Sequence, residues 1–99
     1  MDNFNGLTPA ETERLSLLLE EMGEAQQAIG KILRHGYDNF HPDIPERTNR
    51  MDLEKEIGHV ELAMSIMYKN RDISMAEVSR EAISKHDRIK LYLHHQKRI

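Results

Sequence analysis

"LLLEEMGEAQQ", Leu17 to Gln27, reads as the middle of a helix and poses a problem in charge. Leucine, methionine and alanine recur at steps of three and four, the period of one helix face. Glu20, Glu21 and Glu24 fall within the same short stretch. A carboxylate beside an apolar core costs free energy unless something neutralises it. The fold around this segment, and its use, turn on what does so.

Working outward, "TPAE" gives the helix its start. Thr8 supplies an N-cap hydroxyl, Pro9 the favoured first helical position, and Glu11 the third residue of a capping box. Leu15, Leu18, Met22, Ala25, Ile29 and Ile32 form the predicted apolar stripe. The helix is expected to end near Arg34 or His35, with Gly36 as the breaker. "GYDNFHPDIPERTN", with two prolines, a glycine and several turn formers, reads as a loop. It is long for a connection in a small helical domain.

A second helix is predicted to begin around Thr48 or Asn49 and to turn Leu53, Ile57, Val60, Met64 and Met67 to one side. "KNRDIS" closes it. Ser74 and Glu77 make a second capping box, and Ile73 is placed to staple onto Val78. The third helix then runs through Ala82, Ile89 and Leu93 toward the carboxyl terminus. No segment carries a strand pattern. The expectation is an all-α fold: an antiparallel helical bundle of three main helices in a single domain spanning 1–99. Two long helices and a polar third make a thin core, so oligomerisation, as a homodimer or homotetramer, is expected to complete it.

The composition narrows the classes. The chain has 99 residues, 38% hydrophobic and 31% charged, with a formal net charge of -3. That balance carries no electrostatic footprint for general nucleic-acid binding. Without cysteine there is no disulfide framework and no thiolate metal site. No apolar run approaches the roughly 20 residues that span a bilayer. The amino-terminal residues lack the basic-then-apolar pattern of a signal peptide. A cytoplasmic protein, with neither membrane nor nucleic acid among its partners, is the default expectation.

The carboxylates can be placed on the helix. With Met22 at the centre of the stripe, Glu21 lies roughly 100° away and Glu24 roughly 160° away on the same side. Glu21 and Glu24 are three apart and Glu20 and Glu24 four apart, so these like charges are neighbours. The second helix offers Glu56 and His59, also three apart, in "LEKEIGHVE". If the helices run antiparallel, Glu21 and Glu24 can face Glu56 and His59. Carboxylates from facing helices suit Mg²⁺ and Mn²⁺, and imidazole favours Mn²⁺, Zn²⁺ or Fe²⁺ over Mg²⁺. The competing reading is that these glutamates are solvated surface, as most helical glutamate pairs are. Glu54 and Glu61, on another face, read as surface.

"LLEEMGEAQQAI" followed by "LEKEIGHVELAMSI" resembles the MazG-like, all-α nucleoside triphosphate pyrophosphohydrolases, in the flavour of the small phage and prophage members. The family signature is EExxE on one helix and ExxD on the next. Glu20, Glu21 and Glu24 match the first half, and Glu56 matches the second, with His59 where the family has aspartate. The resemblance covers roughly Leu7 to Met67. It implies hydrolysis of a nucleoside triphosphate to the monophosphate and pyrophosphate, with Mg²⁺, or Mn²⁺, on the acidic cluster. By that analogy Glu21, Glu24 and Glu56 are metal ligands, with His59 in the fourth position, and Glu20 and Glu21 are the catalytic carboxylates. Histidine in place of an anionic ligand weakens the site for Mg²⁺. It leaves open one ion, a softer ion, or a catalytically reduced module that binds a nucleotide or protein. A structural helical dimer with unligated glutamates is the third reading.

The substrate contacts are sought among basic and polar residues. Lys85, Arg88, Tyr92 and His95 fall at spacings of three and four on the predicted third helix. The resemblance makes Lys85 and Arg88 phosphate contacts, although cations near a helix carboxyl terminus are also favoured by its dipole. Arg34, His35 and Tyr37 end the first helix, where they either cap it or reach the nucleotide. Asn49 either caps the second helix or contacts the substrate. Tyr37 and Phe40 are the aromatics placed to stack on a base.

Overall fold

In the computed structural model, which describes residues 4–99, the chain forms three helices and a small hairpin. The beginning of the amino-terminal segment read above for a leader lies outside the described residues. Two compact units divide the chain, one from Met1 to Met67 and the other from Tyr68 to Ile99.

Helix α1, Pro9–His35, starts as its sequence dictates. Glu11 N donates to the Thr8 hydroxyl (3.1 Å), and the Glu11 carboxylate accepts from Thr8 N (2.8 Å). The helix stops where Gly36 takes φ 87°, a left-handed conformation that glycine adopts without a Cβ clash. The Gly36 N–H still reaches back to Ile32 O at 2.7 Å.

The segment after Gly36 is not the loop the sequence predicts. Strand β1, Phe40–His41, pairs antiparallel with β2, Ile44–Thr48. His41 pairs with Ile44 across a tight Pro42–Asp43 turn, and Phe40 pairs with Thr48, so the register shifts within the ladder. The strands escaped the sequence reading for a physical reason. They are short, mostly exposed and bulged, and therefore lack the alternation of a half-buried sheet. Pro45 is tolerated because a two-stranded ribbon has only edges.

Helix α2, Asn49–Lys69, leaves directly from β2. Thr48 caps it, its hydroxyl accepting from Met51 N at 3.2 Å. Asn49, 3% exposed, does not cap: its Nδ2 donates to Gly36 O at 3.0 Å. Asn49 N also donates to Asn39 O, and Arg50 N to Tyr37 O. These bonds fasten the start of α2 to the end of α1, and the two helices then run antiparallel.

Their packing seam lies one residue away from half of the predicted stripe. Leu18, Glu21, Ala25, Ala28 and Ile32 on α1 are buried or half-buried, as are Asn49, Leu53, Glu56, Val60, Ala63 and Met67 on α2. Both sets step by four and three, the period of a coiled-coil seam. Leu15, Met22, Ile29 and Ile57, expected in the core, are among the exposed large hydrophobics. The shift has a steric cause. Ala25, Ala28 and Ala63 leave room along the seam, so the helix pair admits Glu21 and Glu56 there. The larger side chains fall about 100° to one side.

The second unit holds α3, Met75–Ile89. Ser74 caps it, its hydroxyl accepting from Glu77 N at 3.3 Å. The predicted capping box is half made, because the Glu77 carboxylate pairs with Arg80 instead. The helix ends at Ile89 rather than continuing past Leu93. Leu91 N and Tyr92 N donate three residues back, to Arg88 O and Ile89 O, in tight turns. The tail returns to the helix, with His86 Nε2 2.6 Å from Ile99 O. Tyr92 and His95 therefore do not share a helix face with Lys85 and Arg88.

Candidate metal centre and its clefts

Every residue of this site lies in the first unit. The seam periodicity carries Glu21 and Glu56 between α1 and α2, and the neighbouring positions carry Glu24 and His59 to one side of it. One oxygen or nitrogen from each of Glu21, Glu24, Glu56 and His59 lies within 4.8 Å of all the others. His59 Nδ1 is 3.3 Å from Glu21 Oε2 and 3.6 Å from Glu56 Oε2. Lys55 Nζ lies 3.4 Å from Glu56 Oε1.

The burial is unequal. Glu56 is 8% exposed, whereas the His59 side chain is 48% exposed. Glu21 Oε2 and Glu56 Oε2 are buried atoms without a hydrogen-bond partner. A buried carboxylate oxygen without a donor forfeits its hydration, which is costly enough that such atoms are rare. The Glu24 carboxyl is held above the usual carboxylate range. Its hydrogen bond with Glu56 is the largest cause and the charge of Glu21 the next, with burial and the charge of Glu20 adding to them.

A divalent cation fits this donor set. Oxygens on opposite sides of a cation bonded at about 2.1 Å stand about 4.2 Å apart. Four donor atoms within 4.8 Å of one another need only small side-chain adjustments to reach that separation. The two orphaned oxygens are the atoms such an ion would satisfy. A mixed carboxylate and imidazole set suits Mn²⁺, Fe²⁺ or Zn²⁺ better than Mg²⁺.

Beside the cluster, a cleft of about 420 Å³ runs along the helix pair. Glu24, Gln27, Ala28 and Lys31 of α1 and Asn49, Asp52, Lys55 and Glu56 of α2 line it. A second pocket, about 310 Å³, lies under the hairpin, lined in part by Lys31, His35, Phe40, His41 and Asn49. Lys31 and Asn49 are walls of both. Arg47 Nε donates to Asp52 Oδ1 at 2.6 Å, which ties strand β2 to the first turn of α2 at the edge of the first cleft.

The remaining sequence candidates are distributed as follows. Glu20 is exposed and contributes no atom to the cluster, although its charge acts on Glu24. Arg34 points away along α1, its Nη1 3.7 Å from where a Cβ on Gly30 would stand. Tyr37 is engaged by Arg50, whose guanidinium carbon lies 4.4 Å from the ring centroid. Arg50 also pairs with Asp38 at 3.3 Å. Asn49 lines both cavities, and Lys85 and Arg88 belong to α3 in the second unit. Sequence reasoning passed over Lys31 and Lys55. The signal for Lys31 was available: it lies seven residues, two helix turns, beyond Glu24 on the same face. Among the described residues no helix is long and apolar enough to cross a membrane.

No family model, curated protein or solved structure matches the chain.

Proposed function

We propose that this protein is a metal-dependent nucleoside triphosphate pyrophosphohydrolase, releasing the monophosphate and pyrophosphate. The observation that carries the reading is the pair of buried oxygens, Glu21 Oε2 and Glu56 Oε2, that make no hydrogen bond and, among the described residues, share only His59 Nδ1 as a nearby cationic group, inside a four-residue donor set. Such atoms call for a cation, and the adjoining cleft sets Lys31 and Lys55 where an anionic chain would need them. The sequence resemblance supplies the reaction class.

Glu21, Glu24, Glu56 and His59 would hold the ion. When bound, a divalent cation supplies positive charge against phosphate oxygens and a lower pKa for an attacking water. Lys31 and Lys55 orient the phosphates and offset their charge. In the reaction, water adds to the α-phosphorus and the α–β bridging bond breaks, its electron pair leaving with pyrophosphate. Glu20, the carboxylate outside the cluster and one turn from Glu24, takes the water's proton. Phosphoryl transfer asks mainly for positioning and charge stabilisation, which a rigid helix pair provides.

The protein is a dimer in this reading. Leu15, Met22 and Ile29 of α1 and Ile57 of α2 form an exposed apolar strip. Helical arithmetic sets that strip on the side of the seam away from Glu24 and His59. A second copy can therefore cover the strip and leave the acidic cleft open.

A second reading rests on His59. A protonated His59 at 3.3 Å from Glu21 and 3.6 Å from Glu56 is an internal counter-ion, which makes the chain a catalytically reduced nucleotide-binding module. One experiment separates the two. Thermal unfolding is followed with Mn²⁺ and Mg²⁺, and pyrophosphate release is then assayed over a panel of nucleoside triphosphates. A cation at a hundred times its dissociation constant adds about 2.7 kcal/mol of stability. Stabilisation with pyrophosphate release is the expected result. Stabilisation without release leaves a metal site that has lost its chemistry, and no stabilisation by either ion defeats the metal site and leaves His59 as the counter-ion of the second reading.

A further inference from the structure

We propose that the pocket beneath the β1–β2 hairpin is a nucleobase subsite. It would receive the base of a nucleotide whose phosphates lie along Lys31 and Lys55 toward the acidic cluster. The inference rests on the nucleotide reading above and adds to it where the base is held and by which side chains.

Adjacency of the two cavities is the first support. Lys31 and Asn49 are walls of both the acidic cleft and the hairpin pocket, so the two adjoin at these side chains. Asn49 is fixed at that junction by its bond to Gly36 O. Distance along α1 is the second. From Glu24 to Lys31 the helix rises about 10 Å, and His35 lies about 6 Å further on. The order along the helix is thus carboxylate, cation, imidazole, which matches metal end, phosphate chain and base.

The chemistry of the pocket is the third support. Phe40 lines it and is 49% exposed, so its ring is open to a ligand. Tyr37, the other aromatic nearby, is covered by Arg50 and is not a wall of the pocket. Bases stack on aromatic rings whatever their identity, because each has a π-face. His35 and His41 add planar walls; His41 Nδ1 accepts from Asp43 N at 3.2 Å, which leaves its Nε2 and the His35 ring for a base edge. Asn39 Oδ1 accepts from Phe40 N at 2.8 Å, which fixes the backbone beneath the ring and leaves Nδ2 as a donor at the pocket wall. The hairpin is held in place by the Arg47–Asp52 pair, and Asp52 itself lines the acidic cleft.

The test compares two probes in Mn²⁺ by titration calorimetry. One is a panel of α,β-imido nucleoside triphosphates bearing each common base; the other is inorganic tripolyphosphate. Phe40→Ala is expected to weaken the preferred nucleotide analogue by roughly five- to a hundredfold, the range of one lost stacking contact. Its affinity for tripolyphosphate should not change. An unchanged nucleotide affinity, or an equal loss for both probes, overturns the base subsite. So does a wild-type chain that binds tripolyphosphate as tightly as every nucleotide, an outcome that leaves the hydrolase reading standing. A wild-type chain that binds neither probe overturns both. Photolabelling of the wild-type chain with an azido-nucleotide needs no variant to fold. Label on the peptide bearing Phe40 and His41 supports the subsite, and label found only elsewhere overturns it.

Discussion

Glu24 lies against the Glu56 carboxyl across the helix pair and beside the charge of Glu21, and its carboxyl is held above the usual range first by the proton it can share with Glu56 and then by the charge of Glu21. The folded chain therefore keeps a proton there that the unfolded chain has already released. Native protein binds more protons than unfolded protein in that window, so stability falls as pH rises from the ordinary glutamate range through the raised pKa of Glu24. Metal-free protein should thus unfold at a higher temperature as the pH is lowered into this window. Glu24→Gln should be more stable than wild type above it and should lose the Glu24 part of the pH slope. The same variant should lose most of the cation-induced shift. Metal stabilisation that survives intact in Glu24→Gln would remove Glu24 from the ligands. At this scale the sequence was informative: spacings of three residues between Glu21 and Glu24, and between Glu56 and His59, are enough to aim each pair at one face. What spacing could not give was the seam. Apolarity alone centres the core on Met22. The chain packs instead along small alanines, and that draws Glu21 and Glu56 inward.

Helices α1 and α2 were legible because their starts, stops and period are local. A hydroxyl at Thr8, a proline at Pro9 and a glycine at Gly36 act through bonds within a few residues. The hairpin was not legible, because its pairing depends on a tight turn and a shifted register rather than on an alternating pattern. The end of α3 was missed for a related reason, since the apolar period continues to Leu93 after the backbone has left the helix. Two glycines separate local propensity from local necessity. Gly58 lies within α2, and a Cβ added there would meet nothing within 4 Å. Gly58→Ala should stabilise the fold by about 0.5–1 kcal/mol, the ordinary cost of glycine inside a helix. Gly36 sits at φ 87°, where an alanine is strained whatever the space around it. Gly36→Ala should lower stability by about 1 kcal/mol or more. Denaturant unfolding of both variants checks the pair. A loss in Gly58→Ala would mean that something beyond this chain packs against the bare backbone of α2.

At the scale of the whole molecule, the first unit is a helix pair with two unlike sides. On one side of the seam, Glu24 and His59 complete the acidic cluster, and Lys31 and Lys55 border the cleft beside it. On the other, Leu15, Met22, Ile29 and Ile57 stay exposed, with Met22 47% accessible. Large apolar side chains exposed along one side of a helix pair make that side a candidate interaction face. Its position also constrains the assembly. A partner on the apolar side leaves the cleft open, whereas a partner on the acidic side would have to desolvate the charged groups that line it. A two-fold related copy of the chain meets the first condition, because it sets Leu15, Met22, Ile29 and Ile57 against the same four side chains of its partner. The expected state in solution is a dimer of twice the 11.6 kDa chain mass. Met22→Lys sets like charges against each other across the two-fold axis and should shift the protein toward monomer. Neither the Glu21–Glu56–His59 side of the seam nor its cation-induced stabilisation should change. Analytical ultracentrifugation of wild type and variant, each with and without Mn²⁺, reads both quantities together. A Met22→Lys protein that remains dimeric would remove this strip from the interface. Loss of the metal response along with the dimer would mean that the two sides of the helix pair are not independent.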